Sequence, residues 1–319
     1  MPGLIKISLQ NFRSYEKRTF ELGDKTVVVG ENGSGKSNLM EAIYLLATGK
    51  SFRADRDSEM ILYSAQFAAL SAQVDDVNLQ VTITDRKKFE VNGVPRGMVN
   101  FVGRLKAVLF APQDMELVTG SPGGRRRYLD FVIAQVDREY GRCLISYEKG
   151  LRQRNKLLEM IREGLAQRSQ LYFWDKLLIK NGEYITLKRG EYLAGLAEYD
   201  KSVISEERLK QYEVEEVAAA TTLVGPHRDD LTINLNNRDV SKYGSRGEQR
   251  MAVLGLKRKE IEYLGGNPVL LLDDIFSELD HKHREEVMDL VKNYSGQVIM
   301  TTADRHLLPA NGEDTIIEL

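Results

Sequence analysis

An α/β fold built on a P-loop, with a mixed sheet and a helical lobe inserted between its two halves, is what this 319-residue sequence predicts. Three observations lead there. "TVVVGENGSGKSNLMEAIYLL" reads as an apolar strand, a glycine-rich turn and a helix. Strand-like runs gather at both ends of the chain, and between Gly123 and Gly225 there is no proline while apolar residues recur at helical spacing among charges.

Taken in order, residues 4–9, 26–29, 79–84 and 89–94 carry strand patterns, with Asn92-Gly93 as a tight-turn signal in the last. The middle third reads as helix, as in "YEKGLRQRNKLLEMIREGL" and "SEERLKQYEVEEVAAA". A heptad seam is missing, and Gly150, Gly164, Gly182, Gly190 and Gly195 punctuate the segment, so a compact lobe is expected rather than a coiled-coil arm. Strand signals return at residues 231–235, 269–272 and 297–301. The expected organisation is therefore a sheet lobe made of residues 1–130 and 220–319, interrupted by a helical lobe at 131–219. The length also suits a large core with a smaller second domain.

Composition narrows the function less than the motifs do. With 45 Lys+Arg against 47 Asp+Glu the net charge is -2, so any site for a polyanion must be a local basic face. Cys143 is the single cysteine, which excludes an intramolecular disulfide, and its apolar neighbours read as packing. The first residues lack the apolar core of a signal peptide and no stretch is long enough to span a bilayer, so a cytoplasmic protein without membrane contact is expected.

The turn from Gly30 to Ser37 has the form G-x-x-x-x-G-K-S between an apolar strand and a helix whose Leu39, Ile43 and Leu46 share a face. Its backbone N–H groups and the helix N-terminus can surround phosphate oxygens, Lys36 can neutralise β/γ charge, and Ser37 can ligate Mg²⁺. "PVLLLDDIFSELD" supplies the complement: an apolar strand ends in Asp273, beside the metal, and Asp274 follows to orient or deprotonate a water. A second small-residue turn, "SRGEQR" at residues 245–250, opens another helix just before that acidic strand.

The order of P-loop, "APQD" at residues 111–114, "SRGEQR", paired acids and "SELD" at 277–280 resembles that of ATP-binding-cassette proteins, in which the signature turn binds the γ-phosphate of ATP held by the other subunit. Within that superfamily the chain resembles the RecF family over nearly its full length. The residues that carry the likeness are "LQNFRSY", "GENGSGKSNLMEAIYLLATGKSFR", "SPGGRRRYLD", "LRQRNKLL", "WDKLLI", "LVGPHRDDL" and "LLLDDIFSELD". The resemblance implies an ABC-type ATPase head and an ATP-dependent DNA clamp of gap repair, slow and switch-like. Such a protein dimerises with ATP and Mg²⁺, and acts with RecR and RecO in loading RecA.

Carried over by position, Gly30, Glu31, Asn32, Gly33, Ser34, Gly35, Lys36, Ser37 and Asn38 match the P-loop, and Arg13 matches an arginine near the nucleotide. Gln113 matches the Q-loop, which joins Ser37 and Asp273 at the metal. Ser245, Arg246, Gly247, Glu248 and Gln249 match the signature acting in trans, Asp274 the catalytic acid, and Asp280 the D-loop. Two departures stand out: "TTAD" places Thr302 or Ala303 where cassette proteins have a switch histidine, and the helical lobe is shorter than the family pattern. Lys50, Arg53, Arg56, Arg125, Arg126 and Arg127 are the DNA-binding candidates, each also readable as solvated surface. His281 and His283, two apart, face different sides of a helix and make a poor metal pair, His227 reads as a structural hydrogen-bonder, and Phe173 and Trp174 as core. A transporter's nucleotide-binding subunit and a chromosome-organising ATPase are the competing classes; the missing histidine opposes the first and the missing coiled coil the second.

Overall fold

The computed structural model describes residues 3–275, 281–303 and 314–319, without the side chains of residues 281–283. Two compact units emerge: Met1–Asp114 with Lys257–Leu319, and Met115–Leu256.

The first segment of the first unit carries β1 (Leu4–Phe12), β2 (Tyr15–Glu21), β3 (Lys25–Val29), helix α1 (Lys36–Thr48), β4 (Ala68–Val74), β5 (Val77–Ile83), β6 (Lys87–Val91), β7 (Val94–Arg96), the short helix α2 (Met98–Phe101) and β8 (Ala107–Phe110). Six of these strands form an antiparallel sheet in the order β2-β1-β4-β5-β6-β7. Alternation explains its sidedness: Ile7, Leu9, Leu70, Leu79 and Val81 point inward, while Lys6, Gln10 and Gln73 point to solvent.

The second unit begins with α3 (Glu116–Thr119), α4 (Pro122–Ala134), α5 (Arg138–Arg162) and α6 (Tyr172–Leu193). It continues with β9 (Glu198–Asp200), α7 (Glu206–Gln211), α8 (Glu213–Ala219), β10 (Asp230–Thr232), β11 (Asn234–Leu235), β12 (Arg238–Asp239) and α9 (Val240–Tyr243). Helices α5 and α6 pack antiparallel, as the contacts Arg189 to Tyr140 and Arg154 to Asp175 show. Gly150 and Gly182 are not breaks in these helices; a Cβ would lie 2.5 Å from Leu177 at the first and 2.7 Å from Ile204 at the second, so they permit close packing.

Buried charge organises this unit. Arg189, 2% exposed, donates to Asp130 and Asp229 at 2.9 Å, to the Tyr140 hydroxyl at 3.0 Å and to the Pro226 carbonyl at 2.7 Å. "GPHRDD" is thus a docking point for that arginine, and Asp230 takes two bonds from Arg125. His227 accepts from the Tyr147 hydroxyl at 2.8 Å and donates to the Thr222 carbonyl at 3.0 Å, and burial lowers its pKa to about 4, leaving the ring neutral. These contacts draw α4 and residues 220–256 into the second unit, so its edges fall at Met115 and Leu256 rather than at 131 and 219. Phe173 is 63% exposed, beside Tyr172 at 68%, so the core expectation fails for Phe173: the buried positions of α6, among them Leu178, Ile185 and Tyr192, lie farther along the helix.

Helix α10 (Arg246–Leu264) leads the chain back into the first unit, followed by β13 (Val269–Asp273), α11 (His281–Asn293), β14 (Val298–Thr302) and β15 (Thr315–Glu318). Here a parallel sheet has the order β15-β3-β14-β13-β8. Its strands β13 and β14 are buried at every residue, as expected of a parallel sheet covered on both faces. The expected mixture of strand directions is thus divided between two sheets. Helix α1 packs on β8, β13 and β14 of one and on β1, β4 and β5 of the other. Consequently Leu39 to Thr48 are all buried, and the single apolar face read from Leu39, Ile43 and Leu46 widens to every side of the helix from Leu39 onward. Among the described residues no helix is long and apolar enough to cross a membrane.

Candidate nucleotide site

Parallel strands aim their C-terminal ends at one edge of the sheet, and three ends meet beside α1: Val29 of β3, Asp273 of β13 and Thr302 of β14. The turn after β3 requires glycine. Gly35 caps α1 at φ 107°, in the left-handed region, and a Cβ there would lie 2.7 Å from the Tyr15 hydroxyl. That hydroxyl donates to the Gly35 carbonyl at 3.0 Å, and burial raises its pKa to about 12, so it stays a donor. Gly33, at φ 86°, has open space where a Cβ would stand.

The ammonium of Lys36 bridges the loop, donating to the carbonyls of Gly30 at 2.6 Å and Glu31 at 2.9 Å. Glu31, Asn32 and Gly33 are exposed at the lip, while the Ser34 hydroxyl is buried without a hydrogen-bond partner. No acidic residue occupies the first turn of α1. A cationic side chain, an orphan hydroxyl, a helix N-terminus with no acidic residue in its own first turn and an open glycine position together fit a phosphate chain.

The Ser37 hydroxyl donates to Asp273 at 3.0 Å, joining P-loop and acidic strand where a divalent cation needs oxygen donors. Asp273 is 4% exposed. Burial pushes its carboxyl above the usual range, opposed by the hydroxyls of Thr301 and Ser37 and by the charge of Arg53. Asp274 follows with φ 48°, a left-handed conformation costly for a non-glycine residue, and its N–H is held by the Thr301 hydroxyl at 2.9 Å.

Arg13 reaches the same neighbourhood, but its guanidinium is gripped by Glu41 of α1 at 2.8 and 2.7 Å, with a further bond to the Glu59 carbonyl. Glu41 is fully buried and also accepts from the Ser51 hydroxyl. Neither Glu41 nor Ser51 was legible as part of the site; a lone acid among the apolar residues of α1 is the only signal. Asn38 donates to Ser14 at 2.9 Å and accepts from Arg53 at 3.3 Å. Arg53 thus stands over the P-loop helix and within electrostatic reach of Asp273, whereas Arg56 is exposed and Lys50 half-buried.

Gln113 is exposed on a single 3₁₀ turn, Pro112–Met115, after β8. The next residue, Asp114, accepts from the Ala111 N–H at 2.8 Å and pairs at 3.2 Å with Lys257 of α10, which also faces Glu260 at 3.4 Å. Thr302, the expected replacement for a switch histidine, is 5% exposed and its carbonyl accepts from the Gly30 N–H at 3.3 Å; Ala303 is exposed. Asp280 lies outside the described residues, as do the side chains of His281 and His283.

In the second unit, Ser245 and Glu248 form a reciprocal cap on α10: Glu248 accepts from the Ser245 N–H at 2.7 Å, and Ser245 accepts from the Glu248 N–H at 3.3 Å. Gln249 donates to the Val240 carbonyl, while Arg246 is exposed and Gly247 half-buried. Of the three arginines on α4, Arg125 is bound to Asp230 and the Gly120 carbonyl, Arg126 to the Asp229 carbonyl, and Arg127 lies 5.4 Å from the Phe131 ring. The solvated-face reading is therefore replaced for Arg125 and Arg126 by one of internal bracing, because the Asp230 carboxylate and the Asp229 carbonyl of "GPHRDD" lie within reach.

Comparison with known proteins gives this constellation its family. Residues 3–318 match the model described as RecF/RecN/SMC N terminal domain. The DNA replication and repair protein RecF of Herpetosiphon aurantiacus is 35% identical over 356 residues, with 94% of this chain and 92% of that protein aligned. The chain belongs to the RecF family. The RecF of Shouchella clausii is also 35% identical, over 93% of this chain and 92% of its own length. Among solved structures, the recombination mediator protein RecF bound to ATP in the RecFOR pathway superimposes with a TM-score of 0.88 at 29% identity, covering 96% of this chain and 93% of that one. The fold is thus the ATP-binding head shared by RecF and SMC proteins, and the family is one of DNA replication and repair.

Proposed function

We propose that the chain is an ATP-driven DNA clamp of gap repair: ATP joins two copies around DNA, hydrolysis resets them, and the cycle supports RecA loading with RecR and RecO. The contact between Ser37 and Asp273 at 3.0 Å, with Lys36 spanning the loop beside it, carries the reading, because it unites both halves of a Mg·ATP site in one chain. Ser37, Asp273 and Gln113 would hold Mg²⁺, which supplies charge neutralisation on the phosphates. Asp274 would take a proton from the attacking water as its oxygen adds to the γ-phosphorus and the bond to ADP breaks. Gly30 to Asn38 and Arg13 would line the nucleotide, and Ser245 to Gln249 would close the site of the partner copy.

Mixing two inactive variants tests the reading. Lys36→Ala removes the P-loop charge, and Ser245→Arg places a bulky side chain on the signature turn. Each alone breaks both composite sites of a dimer, but a mixed dimer keeps one intact site. With random pairing, about a quarter of wild-type hydrolysis should return under two-fold symmetry. Heterodimers captured with two affinity tags in ATP that hydrolyse nothing would refute it.

A further inference from the structure

Strand β14 lies between β3, which leads into the P-loop, and β13, which ends in the paired acids. The register sets Thr301 beside Asp273 on one side and Val28 on the other. Thr301 is fully buried. Its hydroxyl donates to the Asp273 carboxylate at 2.9 Å and accepts from the Asp274 N–H at 2.9 Å. The directions are forced, since a carboxylate can only accept and an amide N–H can only donate. One hydroxyl therefore fixes both acids: the first through its side chain, the second through a backbone held in the left-handed region at φ 48°.

We infer that Thr301 is a positioning residue for ATP hydrolysis, setting the Asp274 carboxylate relative to Asp273. The inference rests on the proposed Mg·ATP site. The neighbouring Thr302 touches the P-loop through its main chain, its carbonyl accepting from the Gly30 N–H at 3.3 Å. Without the hydroxyl, Asp273 keeps the Ser37 bond but the Asp274 N–H loses this acceptor. The backbone that carries the Asp274 carboxylate would then lose this anchor, while the phosphate contacts of Lys36 and the loop do not pass through Thr301. Catalysis should suffer and nucleotide binding should not.

The test compares Thr301→Val, which keeps shape and loses the hydroxyl, with Thr301→Ser, which keeps the hydroxyl. Steady-state hydrolysis, binding of a fluorescent ATP analogue and the lifetime of the ATP-bound dimer by light scattering are measured on the full chain. In the valine variant kcat should fall about tenfold to a hundredfold, with KM and analogue affinity within about twofold and a longer-lived dimer. Serine should regain most of the lost kcat. If valine melts below the assay temperature, Thr301→Cys, a weak hydrogen-bond donor, replaces it with the same expected split. A valine kcat near wild type, or an equal loss in valine and serine, overturns the role of Thr301 alone. A wild-type chain that binds no nucleotide or hydrolyses none overturns the underlying site, and this inference with it.

Discussion

Replacing Lys257 by methionine should destabilise the first unit through charge rather than shape. Lys257 is 4% exposed and its ammonium lies 3.2 Å from Asp114 and 3.4 Å from Glu260. Methionine fills similar volume but takes the ammonium away from both carboxylates. Removing one partner of a buried pair costs about 3–5 kcal/mol. With a urea dependence of about 2–3 kcal/mol per molar, the unfolding midpoint should drop by about 1–2.5 M. The pH dependence has a definite sign. Burial already holds the Asp114 carboxyl above its ordinary range, with Lys257 pulling it down, so losing the lysine raises it further. A carboxyl raised on folding stabilises the fold while protonated, and that contribution is lost as pH rises through its folded pKa. The deficit should therefore be largest near neutrality and shrink toward about pH 4, close to the unfolded value. Urea titrations of wild type, Lys257→Met and Lys257→Met with Asp114→Asn, at both pH values, provide the assay, and the double variant should recover much of the loss. A midpoint change under about 0.3 M at pH 7, or equal deficits at the two pH values, would refute the reasoning.

Asp274→Asn should keep ATP binding and dimerisation but lose turnover by about a hundredfold or more, measured by phosphate release against light scattering. Arg125→Glu should lower the melting temperature by several degrees, because it replaces the cation on Asp230 with a second carboxylate; an unchanged melt with weakened DNA binding would restore it to the DNA face. Arg56→Glu, at an exposed position, should leave the melt unchanged and make DNA affinity less salt-dependent, by about 0.7–0.9 in the log–log slope for each phosphate that is no longer neutralised.

Motifs whose chemistry depends on contiguous residues were readable from sequence. Gly33, Gly35, Lys36 and Ser37 stand where a strand, a turn and a helix must place them, and an acid ending the buried strand β13 can only face the same sheet edge. Pairings across the chain were not. Arg13 and Glu41, 28 positions apart, show this, whereas Ser37 and Asp273, 236 apart, are the exception, since each motif by itself points to a shared metal. Strand β4, "AALSAQV", was missed because alanine and serine carry little strand preference; the neighbours β1 and β5 hold it in the sheet. Thr301 looked like one more strand residue, since nothing in "VIMTT" records that its neighbour across the sheet is an acid. On α4 the opposite happened: three adjacent arginines suggested a surface, and the Asp230 carboxylate and the Asp229 main-chain carbonyl, about a hundred positions away, claimed two of them.

The ion pair of Asp114 with Lys257 joins the last residue before the chain leaves the first unit to the first residue after it returns. Topologically this is a staple at the base of a very long excursion. An excursion whose ends are pinned can lengthen or shorten at little thermodynamic expense, since doubling a loop adds only about 0.6 kcal/mol to the entropy of closing it. Evolution can therefore remodel what lies between Met115 and Leu256 while the ATP-binding unit keeps its register. By the same logic, grafting a relative's insertion between these two residues is a practical way to exchange lobes within the family.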